Sequence, residues 1–248
     1  MKSKKISIIT VCLNAKNTIQ KTIDSVIMQS YDHYQLVIVD GASTDGTTEL
    51  INKYAEMPNL TIISEKDTGL YNAMNKGIRL ADGEYVLFLN SGDVFYNDQV
   101  LETIAKHLTA DVVYGNVERI LSDKKFIEKY DGKFTAMKLF LMGKMVCHQV
   151  LFIRTAIMKK YFFDESFTIS ADHDMLMKCY KNQHSMKFVD IVISSVDCVD
   201  GISAQVKNFD IIREETDRSL RTYFPIWYYL VKIPKEMVRW YKRNAIEK

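Results

Sequence analysis

The stretch Tyr85-Val-Leu-Phe-Leu-Asn-Ser-Gly-Asp93 decides the fold class of this chain. Five apolar or aromatic residues run without interruption from Tyr85 to Leu89 and then stop at a polar, turn-forming tetrapeptide. An unbroken apolar run of this kind is typical of a strand buried on both faces, as in a parallel sheet covered by helices. Open α/β sheets bind ligands beyond the carboxyl ends of their strands. The position of Asp93 therefore predicts a ligand site anchored on its carboxylate.

Strands and helices alternate on the N-terminal side of this stretch. The patterns predict strands at 6–13, 34–40 and 60–63, followed by helices at about 18–27, 47–55 and 69–81. Such an alternation with short loops predicts an α/β fold with a mainly parallel central sheet flanked by helices. Neither a Gly-x-Gly-x-x-Gly fingerprint after the first strand nor a P-loop occurs, so dinucleotide binding and P-loop chemistry are unsupported.

The second half of the chain has a less regular pattern. We predict helices at 99–108, 133–143, 171–182 and 208–223, a strand at 112–114, a polar hairpin over 117–130, a strand at 148–154, and one or two strands within 187–199. No linker and no internal repeat divides the chain. We therefore expect one domain over residues 1–224, with a first half at 1–116 and a second at 117–224, followed by a tail at 225–248.

Charge is distributed unevenly along the 248 residues. The net charge is +2, but the tail carries six basic and two acidic residues, which leaves 27 basic and 29 acidic residues in the first 224. A slightly acidic body has no general attraction for polyanions, so we expect no nucleic-acid partner. The tail mixes this positive charge with aromatic and aliphatic residues, a composition that suits the headgroup region of an anionic membrane. The alternative is a helix that packs back onto the domain.

Cysteine usage and the N-terminus both favour a cytoplasmic protein. Four scattered cysteines without a Cys-x-x-Cys pair are most simply free thiols in a reducing compartment. The apolar run near the start is short, interrupted by Ser7 and Thr10, and lacks a cleavage site, so it predicts a strand rather than a signal peptide. No run reaches the ~20 apolar residues of a membrane span.

Three acids follow predicted strands or lie in loops of the first half: Asp40, Asp67 and Asp93. Aspartate is common after strands because it caps the next helix, and for Asp40 alone this explanation and a functional one are equally good. Three carboxylates at one sheet edge would repel one another unless a cation or hydrogen-bond donors lay among them.

Four separate motifs now define a resemblance. They are Ser7-Ile-Ile-Thr-Val-Cys-Leu-Asn14, Val39-Asp-Gly-Ala-Ser-Thr-Asp-Gly-Thr47, Ser64-Glu-Lys-Asp-Thr-Gly-Leu-Tyr-Asn-Ala-Met-Asn-Lys-Gly77 and Asp82-Gly-Glu-Tyr-Val-Leu-Phe-Leu-Asn-Ser-Gly-Asp93. In order and spacing the chain resembles the family 2 glycosyltransferases with the GT-A fold over roughly residues 6–200. Its Leu-Asn-Ser-Gly-Asp segment is similar to the branch with capsule and exopolysaccharide transferases of the colanic-acid type.

The resemblance implies a nucleotide-sugar site in the first half. Asp40 would accept from the base or ribose, Thr10 and Asn14 would line the base pocket, and Asp67 and Asn75 would complete the nucleoside site. The alternative for Asn75 is a polar residue on the outer face of its helix.

Asp93 would hold a divalent metal, Mn²⁺ or Mg²⁺. The family usually offers two acids separated by one residue at this turn, whereas here the first is Asn90 or Ser91 and only Asp93 is charged. Magnesium commonly uses one or two carboxylates, with substrate phosphates and water as its other ligands, and manganese suits the same oxygens. The metal would bridge the two phosphates and neutralise charge on the departing nucleoside diphosphate.

The segment Ile169-Ser-Ala-Asp-His-Asp-Met-Leu-Met177 is similar to the family segment in which an acid opens a helix over the active site. This similarity makes Asp172 the general base for an inverting transfer and Asp174 its neighbour. The alternative is that both aspartates stabilise a helix N-terminus. His148 and Gln149 would contact the donor diphosphate or the acceptor sugar, and a purely structural histidine is the alternative for His148. We expect His173 to face solvent or pair with an aspartate.

Together these features predict transfer of a sugar from a nucleoside-diphosphate sugar, most simply UDP-linked, to a hydroxyl of a glycan or lipid-linked saccharide in surface polysaccharide biosynthesis. The expected place is the cytoplasm, at the inner face of the membrane. An alternative is a nucleotide-sugar-binding regulatory protein without turnover, which the single acid of the Asn90–Asp93 segment keeps open. A nucleotidyltransferase would need a Gly-rich loop after the first strand, and none is present.

Overall fold

The structure is a computed structural model that describes residues 5–130, 146–198, 208–226 and 228–230. Its strands are β1 (Ile6–Cys12), β2 (Tyr34–Asp40), β3 (Leu60–Ser64), β4 (Tyr85–Phe88), β5 (Val94–Phe95), β6 (Val112–Ile120), β7 (Lys125–Glu128), β8 (Leu151–Arg154) and β9 (Met186–Asp197). Its helices are α1 (Ile19–Ile27), α2 (Thr47–Asn52), α3 (Leu70–Leu80), α4 (Val100–Ala105), α5 (Thr155–Tyr161), α6 (Ala171–Lys181) and α7 (Phe209–Tyr223).

All nine strands belong to one sheet, in which β3, β2, β1, β4, β8, β6, β9 and β5 lie side by side and β7 forms a hairpin with β6. The neighbours within β3-β2-β1-β4 are all parallel. Beyond β4 the sheet is mixed, since β8 is antiparallel to both β4 and β6 while β9 is parallel to β6. The predicted α/β class is confirmed, and the half built from the first four strands is entirely parallel.

The central strands are buried on both faces, as their apolar runs predict. Every residue of β1, β2 and β4 is buried. Helix α3 packs on β1 so closely that a Cβ added at Gly77 would lie 2.4 Å from Cγ2 of Ile9. This contact fixes the height of α3 above the sheet and with it the loops at both ends of the helix.

The antiparallel pairing of β4 with β8 places the segment before β8 beside the end of β4. Tyr85 pairs with Arg154 and Val86 with Ile153, so the same register carried onward sets His148 and Gln149 opposite the residues that follow β4. The predicted strand at 148–154 is wrong in its first three residues, because His148–Val150 forms a 3₁₀ turn. The Val150 N–H donates to the Cys147 carbonyl at 3.2 Å and closes that turn.

Other sequence predictions have mixed outcomes. The hairpin over 117–130 is confirmed by the pairing of β6 with β7, although β6 runs without a break from Val112 to Ile120. Helix α5 was not predicted. The helix predicted at 133–143 lies outside the described residues. Among the helices that the structure describes, none has the length and apolar character needed to cross a bilayer.

The close packing at Gly77 gives a stability prediction. Gly77→Ala should lower the free energy of unfolding by about 1–2 kcal/mol, because overpacking against the rigid Ile9 side chain outweighs the higher helix propensity of alanine. Urea unfolding at neutral pH measures this change. Gln20→Ala on the exposed face of α1 is the control and should change stability by less than about 0.5 kcal/mol. A Gly77→Ala protein as stable as wild type would contradict the packing.

Candidate active site

The loop that follows β4 is held by bonds within the loop and to helix α1. The Asp93 N–H donates to the Asn90 carbonyl at 3.0 Å, and Gly92 has a φ of +103°, a left-handed conformation that favours glycine. The Thr22 hydroxyl accepts from the Gly92 N–H at 2.9 Å and donates to the Asp93 carbonyl at 2.8 Å. The Asp93 carboxylate therefore has a fixed place beyond the end of β4.

Asp93 is buried, with 6% of its surface exposed, and its Oδ2 accepts from Nε2 of Gln149 at 3.0 Å. Burial raises the pKa of Asp93 to about 6, although the hydrogen bond from Gln149 and the nearby His148 oppose the shift. A desolvated carboxylate with a raised pKa is a site where a cation would relieve an unfavourable negative charge.

His148 connects the end of β4 to helix α6. Its Nδ1 lies 3.1 Å from Oδ2 of Asp172, and its Nε2 lies 3.1 Å from Nδ2 of Asn90. The adjacent Gln149 binds Asp93, so two consecutive residues contact the two acids for which the sequence predicts metal binding and base catalysis. The structure therefore brings together Asp93, His148, Gln149 and Asp172.

Asp172 lies at the N-terminus of α6, with 12% of its side chain exposed. Burial raises the pKa of Asp172, but the hydrogen bonds from His148 and from the His173 N–H hold it below its ordinary value. The His173 N–H donates to Oδ1 at 2.8 Å. The carboxylate is therefore ionised near neutral pH.

Asp174 and His173 differ from Asp172 in their surroundings. Asp174 accepts from the Ser219 hydroxyl at 2.8 Å and from the Tyr223 hydroxyl at 3.1 Å, both on α7, so it joins α6 to α7.

The expectation that His173 faces solvent or pairs with an aspartate is wrong. Its side chain is buried, neither ring nitrogen has a hydrogen-bond partner among the described residues, and burial lowers its pKa to about 4.

The loop before α6 is fastened by two residues that the sequence reasoning missed. The buried carboxylate of Glu215 on α7 accepts from the backbone N–H groups of Ile169 at 3.0 Å and Ser170 at 2.8 Å. The Tyr71 hydroxyl on α3 accepts from the Ala171 N–H at 3.0 Å. Nothing in the sequence distinguishes Glu215 from its exposed neighbour Glu214, and only the packing of α7 reveals its role.

Asp40, at the end of β2, is completely buried and bonded to its own neighbours. Its carboxylate accepts from Thr48 Oγ1 at 3.0 Å, from Ser64 Oγ at 2.6 Å and from the hydroxyl of Ser43. Burial raises the pKa of Asp40, but the three hydroxyl groups hold it below its ordinary value. The carboxylate orders the loop after β2, and a nucleoside would have to share these donors.

Asn14 lies in the loop after β1 and joins it to the loop after β2. Its Oδ1 accepts from the Thr44 N–H at 2.9 Å, and its own N–H donates to Ser43 Oγ at 2.7 Å. Thr10 precedes Asn14 by four residues. It is fully buried within β1, where its hydroxyl donates to the Leu89 carbonyl at 2.8 Å. Asn14 thus belongs to the loop cluster around Asp40, and Thr10 bonds β1 to the end of β4.

Asp67 extends this loop cluster. Its Oδ1 accepts from Lys76 Nζ at 2.5 Å. A Cβ added at Gly41 would lie 3.0 Å from Asp67 Oδ2, so the carboxylate lies against the residue that follows Asp40. The loops after β1, β2 and β3 therefore form one continuous edge.

Asn75 is buried, so the alternative that places it on the outer face of its helix is wrong. Its Nδ2 donates to the Phe163 carbonyl at 3.0 Å and to Glu165 Oε1 at 2.8 Å, while its Oδ1 accepts from the Phe163 N–H at 2.9 Å. In this structure Asn75 joins α3 to the loop after α5.

The residues near Asp93 suit a hard divalent cation. Among the described residues, the buried Oδ1 of Asn90 and Oε1 of Gln149 accept no hydrogen bond, so two amide oxygens and one carboxylate are available in this region. Oxygen ligands are those that Mg²⁺ and Mn²⁺ prefer. No group of three His, Cys, Asp or Glu side chains suited to a metal occurs in the described part of the chain. A cation bound here would take its remaining ligands from a bound diphosphate and water.

Comparison with known proteins extends these observations. The profile of glycosyl transferase family 2 matches residues 7–166, well over half of the chain. The PGL/p-HBAD biosynthesis glycosyltransferase of Mycobacterium tuberculosis is 30% identical over 223 residues, which are 86% of this chain and 84% of that protein. The Escherichia coli protein UDP-Glc:alpha-D-GlcNAc-diphosphoundecaprenol beta-1,3-glucosyltransferase WfaP is 27% identical over 61% of this chain and 62% of its own length.

A solved structure confirms the fold. The crystal structure of residues 1–349 of Staphylococcus aureus TarS, in complex with UDP-GlcNAc, superposes with a TM-score of 0.71 at 22% identity. The superposition covers 89% of this chain and 67% of the TarS chain, so this chain spans about two thirds of the length of the solved protein. Asp172 and the helices α6 and α7 lie beyond the residues that match the family profile.

The buried carboxylate of Asp93 gives a pH-dependent prediction. Because its pKa is raised to about 6, its stabilising contribution is complete below the unfolded value of 3.8 and is lost as the pH rises through about 6. Asp93→Asn should therefore raise the free energy of unfolding without metal by up to about 3 kcal/mol at pH 7.5 and by less at pH 5.0. Urea unfolding at both pH values measures this, with the exposed Asp98→Asn as control. Equal or lower stability of Asp93→Asn at pH 7.5 would contradict the assignment.

Proposed function

Because this chain belongs to glycosyl transferase family 2 and is a glycosyltransferase, we propose that it is a metal-dependent, inverting transferase that uses a UDP-sugar. One observation carries the proposal: His148 and Gln149 bring Asp172 and Asp93 to the same end of β4. One acid is buried with a raised pKa, and the other is held ionised. Two acids in such different environments suit different tasks.

We assign the nucleoside to the edge formed by the loops after β1, β2 and β3. Asn14, Asp40 and Asp67 lie in these loops, and their mutual hydrogen bonds give the edge a defined shape. Thr10 and Asn75 belong to the same proposal, although the Thr10 hydroxyl bonds the Leu89 carbonyl and the Asn75 amide bonds the Phe163 carbonyl in this structure. The 1–116 half would thus hold the donor, and the 117–224 half would supply the acceptor side.

Asp93 would hold the divalent cation, with the oxygens of Asn90 and Gln149 beside it. When bound, the cation neutralises charge on the diphosphate as it leaves. Gln149 fixes the orientation of the Asp93 carboxylate through its 3.0 Å hydrogen bond. Asp172 accepts the proton of the acceptor hydroxyl while that oxygen forms a bond to the anomeric carbon. Attack from the face opposite the diphosphate breaks the sugar–phosphate bond and inverts the configuration.

The relatives support a saccharide acceptor and a UDP-linked donor. The name of WfaP gives UDP-Glc as its donor and a diphosphoundecaprenol-linked sugar as its acceptor, and the TarS crystal holds UDP-GlcNAc. For this chain we propose the same kind of reaction, which is transfer of a sugar to a glycan or lipid-linked saccharide in surface polysaccharide biosynthesis.

A panel of nucleotide sugars tests the activity. We expect UDP-glucose or UDP-N-acetylglucosamine to raise the Tm only with MnCl₂ or MgCl₂ and to release UDP in the same conditions, and we expect GDP-mannose to do neither. Asp93→Asn should abolish the metal-dependent stabilisation. Stabilisation by the UDP-sugar that is independent of metal would contradict the role of Asp93. Binding of a UDP-sugar with no release of UDP would instead indicate a binding protein without turnover.

The base assignment has its own test. Asp172→Asn should lower kcat for UDP release by about 10²–10⁴-fold, because general-base assistance is lost, while the donor-dependent rise in Tm is retained. Asp174→Asn is the matched control on the same helix: it should lower stability through its lost bonds to α7 and leave kcat within a few-fold. Loss of donor binding in Asp172→Asn would contradict its role as base.

The end of the described chain supports membrane attachment of the tail. Ile226, Tyr229 and Leu230 expose 73%, 56% and 62% of their surfaces after α7. They precede the basic residues of the tail, all of which lie outside the described residues. Exposed apolar side chains next to positive charge suit the surface of an anionic bilayer, which would place the enzyme at the inner face of the membrane.

Deletion of residues 225–248 should move the protein from the membrane fraction to the supernatant. The same deletion should abolish sedimentation with phosphatidylglycerol vesicles, and high salt should weaken binding of the full chain. A full-length variant with serine at 226, 229 and 230 separates the apolar from the electrostatic contribution. Identical fractionation of the deleted and full-length chains would show that the tail does not bind membranes.

A further inference from the structure

His148 has a hydrogen-bond partner on each ring nitrogen, and both partners are protein side chains. Nδ1 lies 3.1 Å from Asp172 and Nε2 lies 3.1 Å from Asn90. The sequence-based expectation was that this ring contacts the donor diphosphate or the acceptor sugar. With both nitrogens engaged inside the protein, a different role has to be considered.

The two partners together select one form of the ring. An ionised carboxylate can only accept, so Nδ1 must carry a hydrogen and donate to Asp172 Oδ2. The amide nitrogen of Asn90 can only donate, so Nε2 must accept. The hydrogen of the bond between His148 and Asp172 therefore lies on Nδ1. The two hydrogen bonds of His148 depend on each other. If the hydrogen were on Nε2, it would face the N–H of Asn90, and Asp172 would lose its donor from the ring.

The surroundings make this arrangement rigid. The side chains of His148 and Asp172 are 16% and 12% exposed. Together with apolar residues they line a small cavity behind the pair, formed by Val86, Phe88, Leu151, Ile153, Met158, Phe163 and Met175. The ring of Phe88 meets that of His148 edge-on, with centroids 6.5 Å apart. In such apolar surroundings a hydrogen bond is stronger than in water, and a carboxylate without its donor would be costly.

We propose that His148 is a positioning residue that acts through Asp172. His148 donates to Oδ2 and so orients the carboxylate of Asp172. The free lone pairs of that carboxylate then face the hydroxyl group of the sugar acceptor. Through Asn90 it ties the base to the end of β4, three residues before Asp93. The hydrogen bonds of His148 therefore fix the position of Asp172 relative to the loop after β4, which would bind the diphosphate. This inference rests on the proposed function, since it assumes that Asp172 is the base.

The test uses four variants and the UDP-sugar that gives the fastest metal-dependent UDP release from the wild-type enzyme. His148→Ala should lower kcat by about 10–100-fold, as is typical when a supporting hydrogen bond is lost, with KM for that UDP-sugar changed less than twofold. His148→Asn carries an amide nitrogen at the δ position and should recover most of the activity. His148→Gln carries it at the ε position and should not.

The fourth variant combines His148→Ala with Asp172→Asn. Because His148 acts through Asp172, the double variant should be no slower than Asp172→Asn alone. A donor-dependent rise in Tm, measured with MnCl₂ and the same UDP-sugar, verifies that every variant is folded and binds donor.

Three outcomes would overturn the positioning role. They are a wild-type kcat in His148→Ala, a defect confined to KM or donor binding, and equal recovery by asparagine and glutamine. A defect confined to donor binding would return His148 to the diphosphate. Asp172→Asn with near-wild-type turnover would instead refute the proposed base, and that result is independent of the His148 series.

Discussion

The antiparallel pairing of β4 with β8 is the constraint on which the candidate site depends. β4 has β1 on one side, parallel, and β8 on the other, antiparallel. The register that pairs Tyr85 with Arg154 sets the 3₁₀ turn before β8 beside the loop after β4. Two adjacent side chains of that turn then reach Asp93 and Asp172. A strand parallel to β4 at this place would bring the residues that follow it to this loop, whereas the antiparallel β8 brings the residues that precede it.

The different surroundings of Asp93 and Asp172 shift their pKa values in opposite directions. Asp93 is desolvated and receives one side-chain donor, so burial dominates and raises its pKa to about 6. Asp172 is also largely buried, yet the donors from His148 and from the α6 backbone lower its pKa. A cation beside Asp93 would restore the charge balance that burial disturbs, while Asp172 needs none. These opposite pKa shifts are what the proposed roles require, a metal ligand at Asp93 and a proton acceptor at Asp172.

The N-terminal part of the fold could be predicted from sequence because its signals are local. Apolar runs mark β1, β2 and β4, and the acids Asp40 and Asp93 mark the ends of the last two. The β4–β8 pairing joins segments about sixty residues apart, and no local pattern specifies which strand covers the free side of β4. For the same reason the turn at His148–Val150 was taken as strand, and the bonds from Glu215 to the loop before α6 were missed.

Buried polar residues were the other source of error. The surroundings expected for His173 were wrong, and so was the alternative that placed Asn75 on the outer face of its helix, because each side chain is buried. For Asn75 the reason is the backbone of Phe163, whose N–H and carbonyl groups the amide satisfies. Such partners come from distant parts of the chain, so their presence is a property of packing and has no trace in periodicity.

A crystal structure of the protein with Mn²⁺ and UDP tests the central claim most directly. The account predicts an anomalous manganese peak within coordination distance of the Asp93 carboxylate, the diphosphate on that ion, and His148 still bonded to Asp172. Manganese and diphosphate bound away from Asp93, or His148 turned from Asp172 onto the diphosphate, would contradict it.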